Sequence, residues 1–261
     1  MKAILDAVAW LGAGVLGLVE YIGELAMFAV SGILHLLSPP WYPRQLGRAF
    51  MEIGYFSLPV VALTALFTGM VLALQSYTGF SRFGAESAIA SVVVLSVTRE
   101  LGPVLAGLMV SGRAGAAIAA ELGTMRVTDQ IDALSTLSTE PMKYLVAPRL
   151  LAGTIALPLL VILADILGVM GGYLVGVYKL GFSSGGYLTS TFSNLQTQDV
   201  ASGLIKAAVF GFIIALMGCF NGYRSRGGAQ GVGAATTSAV VSASILILAL
   251  DYVLTQVLFV K

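Results

Sequence analysis

Charged side chains make up only 10% of the 261 residues, against about 25% in a soluble domain, which is too few to clothe a water-soluble globule. Hydrophobic residues reach 57%, so lipid is the solvent for most of the chain. One cysteine, Cys219, excludes an internal disulfide, and one histidine, His35, excludes a histidine-rich metal site. A net charge of +1 provides no basic field to hold nucleic acid, and no nucleic-acid partner is expected. No Walker sequence occurs, so ATP hydrolysis is not expected of this chain. No Gly-x-Ser-x-Gly accompanies His35, which leaves nucleophilic catalysis unsupported. Lys2 and Asp6 flank the start without a small-residue cleavage site after a short apolar core, so no removable signal peptide is expected.

What is present is a set of long apolar runs. A bilayer core of about 30 Å takes about 20 apolar residues in a helix. Five runs meet that length: Phe50 to Tyr77, Ser87 to Gly112, Leu145 to Tyr178, Val200 to Phe220 and Thr236 to Val260. They are too long and continuous for barrel strands of about ten alternating residues, and lipid offers no partner to open backbone groups, so helices are expected. Val8 to Leu37 is also apolar, but Glu20 and Glu24 share one helical face, an awkward placement in mid-bilayer. It reads as a helix lying in the membrane interface, closed by Ser38-Pro39-Pro40 and the amphipathic Trp41-Tyr42 pair, with a sixth span as the alternative. The fold class is therefore an all-α integral membrane protein. Residues 1–43 form an N-terminal interfacial helix and residues 44–261 a five-helix domain, with a cytoplasmic segment at about 113–144 between spans two and three.

Cation placement orients it. Lys2, Arg44, Arg48, Arg113, Arg126, Lys143, Arg149, Arg224 and Arg226 fall on one side, against Arg82, Lys179 and Lys261 opposite, with Lys206 near that edge. The rich side is expected to be cytoplasmic, with the N-terminus there and the C-terminus across the membrane.

Ser96-Val-Thr-Arg-Glu-Leu-Gly-Pro103 is the most informative stretch. Arg99 and Glu100 fall at mid-span, where each charge costs about 2.5–3.5 kcal/mol or more. Neighbours on a helix point about 100° apart, so the two cannot neutralise each other along one face. Pro103 has no N–H for the carbonyl of residue 99, which opens the helix ladder beside the charges. Two readings follow: a hydrated cavity that meets a charged or zwitterionic head group, or structural ion pairs with Asp165 and Asp251. The same four residues would also suit a proton path in an ion-coupled secondary transporter.

On the cytoplasmic side, Val127, Ile131 and Leu134 follow i, i+4, i+7 spacing while Arg126, Asp129 and Asp132 occupy other faces, predicting a short amphipathic helix over Glu121 to Leu134. Two carboxylates without a third ligand are poor evidence for a metal. Gly168-x-x-x-Gly172-x-x-x-Gly176, Gly218-x-x-x-Gly222 and Gly112, Gly115, Ala116, Ala119 mark close helix contacts, within the chain or across a dimer. Gly227 to Gly233 reads as a glycine-rich turn.

The residues Gly69-Met-Val-Leu-Ala-Leu-Gln75, Arg99 to Pro103 with Ser111-Gly-Arg-Ala-Gly115, Glu121 to Arg126 with Thr128-Asp-Gln130, Pro148-Arg149, Phe220-Asn-Gly-Tyr223, Ala235-Thr-Thr237 and Leu250-Asp-Tyr252 together resemble the MlaE family. These are permease subunits of ABC-type phospholipid transporters that maintain outer-membrane lipid asymmetry. The resemblance runs from about residue 44 to the C-terminus. It implies a homodimer in the bacterial inner membrane, partnered by cytoplasmic ATPases that carry Mg-ATP, a periplasmic MCE-domain protein and a STAS-domain regulator. No cofactor is implied in this chain. By the same resemblance Leu72, Tyr77, Phe80, Phe83, Arg99, Glu100 and Leu101 line a lipid cavity. Glu121, Leu122, Met125, Arg126, Asp129 and Asp132 belong to a helix that couples to the ATPase. Ala234 and Ser238 stand where family members commonly carry basic residues.

Overall fold

The computed structural model describes residues 2–259; Met1, Val260 and Lys261 lie outside the described residues, and with them the last residue of the expected fifth span and one of the cations used for orientation, Lys261. Among the described residues all regular structure is helical. Helices α1 (Lys2–Leu37) and α2 (Pro43–Ile53) precede the first long span, α3 (Leu58–Phe80). The second span is one rod built of α4 (Ile89–Ser96), α5 (Gly102–Val110) and α6 (Ala116–Val127), joined by π-helical segments at Val97–Leu101 and Ser111–Gly115. After α7 (Gln130–Thr136), a third π segment at Met142–Val146 opens α8 (Ala147–Tyr178). Then come α9 (Ser184–Asn194), α10 (Thr197–Tyr223) and α11 (Gly228–Phe259).

All five expected spans fall on helices. Among the described residues six segments are long and apolar enough to cross a membrane, the sixth being Gly12–Leu37. Several of its contacts gather at two neighbouring helix ends. Tyr21 and Phe28 set their rings 5.5 Å from that of Phe220, Glu24 pairs with Arg224, and Gly32 packs on Val146 and Leu150. Those partners sit at the end of α10 and the start of α8 with its π segment, so this face of α1 runs across helix ends.

The interior is built on α8 and α10. Helix α8 packs between α3 and α10, and α10 in turn meets α6 and α11. Two glycine crossings set these distances. A Cβ at Gly69 would overlap the Gly168 carbonyl oxygen, and one at Gly211 would overlap that of Gly153, so α3–α8 and α8–α10 touch backbone to backbone. The expected small-residue faces meet inside the chain: Gly218 and Gly222 lie against Gly115 and Ala119, and Gly172 and Gly176 against Val93 and Tyr187. Gly112 is the exception, with open space before it.

Two expectations are corrected. The helix predicted over Glu121 to Leu134 is broken, because Asp129 takes a left-handed φ of 58° and ends α6, a conformation that Asp tolerates better than most residues. Glu121 and Arg126 therefore end the second-span rod, while Ile131 and Leu134 belong to α7. The glycine-rich turn is confined to its first residues. Gly227 and Gly228, at φ 86° and 67°, reverse the chain as glycine alone does cheaply, and Gly231 and Gly233 already belong to α11.

Candidate functional site

The bulge at Val97–Leu101 places the two mid-span charges. Gly102 N–H bonds to Val97 O, the wide spacing of a π turn, and Pro103 provides no proton for Arg99 O. That carbonyl accepts instead from Lys206 Nζ of α10, at 3.1 Å. The gap in the ladder that proline dictates is thus closed by a lysine from another helix.

Lys206 is the hub of the cluster. Its side chain is 0% exposed, and Nζ also donates to Glu100 Oε2 and to Thr255 Oγ1, each at 2.7 Å. Asp251 Oδ1 lies 2.9 Å from the same ammonium. The Thr255 hydroxyl has Glu100 Oε1 at 3.2 Å and Asp251 O at 2.8 Å as acceptors for its proton. Arg99 turns the other way. Its Nε and Nη2 both reach Asp199 Oδ1 at 2.7 Å, and its guanidinium covers the Phe259 ring at 4.7 Å. Asp199, 1% exposed, is held in turn by the Gln196 N–H, which donates to Oδ2 at 2.9 Å and caps α10.

Neighbours about 100° apart do not pair with each other, and each finds its own partner on α10. Both keep one edge open, at 36% for Arg99 and 38% for Glu100. A guanidinium edge binds phosphate or carboxylate and a carboxylate binds an ammonium, so the pair together suits a zwitterion.

The alternative of ion pairs with Asp165 and Asp251 is corrected in its partners. Arg99 pairs with Asp199, and Asp251 enters only through Lys206. Asp199 was missed because it directly precedes the apolar run at Val200, and Lys206 because it reads as an edge cation. Their spacing of seven residues, two turns on one face of a helix, was the available signal. Asp165 stands apart. It is buried in α8 with Oδ1 free of any hydrogen-bond partner among the described residues, and it lies against Gly102, where a Cβ would collide with it.

Of the expected apolar wall, Leu72, Tyr77 and Phe80 pack around Ala73, Ile89 and Val93. Phe83 stands 84% exposed. Leu101 lines a crevice with Val61, Thr64 and Met109. At the opposite end of the rod, Glu121 pairs with Arg149 at 2.7 Å and Arg48 at 3.7 Å. Arg126 reaches Asp132 at 2.7 Å, tying α6 to α7. Leu122 is fully buried and Met125 half-buried against the core, so these two support the segment from beneath, while Asp129 is exposed at the turn.

Asp199→Asn is expected to weaken the charge-assisted bonds to Arg99 and lower stability by about 1.5–3 kcal/mol. Thermal unfolding in detergent reads this, and an unchanged midpoint would place Arg99's support elsewhere.

Apolar helices packed around a half-open charge cluster define an all-α, multi-pass membrane protein. The sequence profile described as Permease MlaE matches residues 46–257, and the chain belongs to the MlaE permease family of ABC transporters. It is 59% identical over 249 residues to a probable ABC transporter permease protein of Rickettsia bellii, covering 95% of this chain and 96% of that one. It is 40% identical over 208 residues to the intermembrane phospholipid transport system permease protein MlaE of Haemophilus influenzae, covering 79% and 80%. It is 37% identical over 227 residues to the chloroplastic protein TRIGALACTOSYLDIACYLGLYCEROL 1 of Arabidopsis thaliana, covering 87% and 65%.

Proposed function

We propose that this permease moves glycerophospholipid between a bacterial inner membrane and a periplasmic carrier, and so contributes to outer-membrane lipid asymmetry. The observation that carries the reading is the open edge shared by Arg99 and Glu100 at mid-span. The guanidinium meets the lipid phosphate and the carboxylate an ammonium head group, while Leu72, Tyr77 and Phe80 offer acyl chains an apolar wall. Phe83 and Leu101 border it. Two copies of the chain enclose the cavity, and an MCE-domain protein exchanges lipid with it. Energy comes from Mg-ATP on cytoplasmic ATPase subunits, with a STAS-domain protein as regulator. The α6–α7 turn, with Glu121, Met125, Arg126, Asp129 and Asp132 over Leu122, transmits ATPase closure to the cavity.

The cation-rich ends of α8 and α10 then face the cytoplasm, with the N-terminus on that side and the C-terminus periplasmic. The run of α1 contacts across those ends supports an interfacial first helix. A proton path through Arg99, Glu100, Asp165 and Asp251 has less support, because Lys206 holds two of these acids in ion pairs.

A photo-crosslinking side chain at Leu72 is expected to capture phospholipid in the assembled transporter. Asp129→Lys is expected to leave ATP hydrolysis running while lipid transfer in reconstituted vesicles falls about fivefold or more, as losing a coupling free energy of about 1–3 kcal/mol requires. Absence of the adduct, or transfer unchanged in the variant, overturns the reading.

A further inference from the structure

A hollow lies away from the charge cluster, where the end of α1 meets α2 and the start of α8. It encloses about 340 Å³, within the range of sites for small ligands. Its floor is apolar, from Leu36, Leu46 and Leu151, with Trp41 at the rim. Tryptophan favours the head-group level of a bilayer, and Trp41 is one of the more exposed large side chains of the protein.

The fixed charge at the mouth is the Lys143 ammonium. Lys143 and His35 both line the hollow, and no acidic residue does so among the described residues. Lys143 Nζ spends one proton on Pro39 O at 2.8 Å, which leaves two donors for a ligand. His35 Nδ1 donates to Ser31 O at 2.7 Å, so that this nitrogen carries the proton and Nε2 remains the ring's other polar atom. An apolar floor beneath a cationic mouth, at the cation-rich membrane surface, matches a molecule with an acyl chain and a negative head.

We infer that this hollow binds an anionic glycerophospholipid of the adjoining leaflet, its acyl chain over Leu36, Leu46 and Leu151 and its phosphate on Lys143. The site is distinct from the Arg99–Lys206 cluster and stands whether or not that cluster handles lipid. Occupation would hold α1 to the start of α8 and so fix the first helix in the interface.

The chain has two tryptophans, Trp10 and Trp41, so Trp10→Phe leaves Trp41 as a fluorescent reporter at the site. The full-length variant is placed in phosphatidylcholine vesicles containing a small fraction of brominated phosphatidylglycerol or, in parallel, brominated phosphatidylcholine. Brominated phosphatidylglycerol is expected to quench Trp41 as though enriched about fivefold, the factor that about 1 kcal/mol per cation near an anionic head group gives. Lys143→Gln is expected to abolish the difference between the two lipids and Lys143→Arg to keep it. Equal quenching by both lipids with Lys143 present overturns the inference, as does a preference that survives Lys143→Gln. Loss of the preference on adding inorganic phosphate at constant ionic strength would mark an anion site without lipid selectivity, and overturns it as well.

Discussion

Lys206→Met is expected to destabilise the protein by about 3–5 kcal/mol, the cost of removing one partner from a buried ion pair. The methionine fits the apolar stem of the lysine, so packing is nearly conserved and the loss is electrostatic. Without the ammonium, Glu100 and Asp251 confront each other in the membrane and Arg99 O loses its donor. Charge balance provides the control. Adding Glu100→Gln and Asp251→Asn to Lys206→Met removes the two stranded acids and is expected to restore most of the stability, while lipid transfer stays low for want of the Glu100 carboxylate. Thermal unfolding in detergent measures the first effect and reconstituted transfer the second. If Lys206→Met unfolds at the same temperature as the parent, the hub role assigned to this lysine is wrong.

Gly211→Leu carries the other large effect. At this crossing the neighbour is the Gly153 carbonyl, with the Leu157 Cβ 3.0 Å from the position a Cβ would take. Backbone cannot swing aside as a side-chain tip can, so α8 and α10 must separate. A cost of about 3 kcal/mol, the upper part of the range for overpacked cores, is expected, and α10 carries Asp199 and Lys206 away from the second span as it moves. Gly79 lies in α3 with open space before it, and Gly79→Ala is expected to be neutral or to gain up to about 1 kcal/mol from helix propensity. Equal resistance of the Gly211 and Gly79 variants to denaturing detergent would refute the backbone-contact account.

Much of this was readable from the chain alone. The spans follow from run length, because each apolar residue is transferred to lipid nearly independently of its neighbours. Arg99 and Glu100 stood out for the same reason, as charges in the wrong solvent, and Pro103 announced a broken ladder before any helix was seen. The repeated small residues named helix faces that do touch. Less legible were the partners. Asp199 looked like an end-of-span residue and Lys206 an edge cation, yet they neutralise the site. Asp251, named as a direct partner in the ion-pair alternative, acts through Lys206. The Glu121 to Leu134 pattern suggested one helix because hydrophobic spacing continued through Asp129, where a single left-handed residue ended it.

The amino-acid order by itself determined that this is a bundle of membrane helices, which segments enter lipid, and that two charges near the middle of the second span must be received by something polar. Those outcomes depend on local sums of transfer free energy. Only the tertiary structure decided that the receivers are Asp199, Lys206, Thr255 and Phe259, and that α8 and α10 meet at bare backbone. Those outcomes depend on the depth and rotation of helices far apart in the chain, which packing fixes jointly and no local stretch encodes.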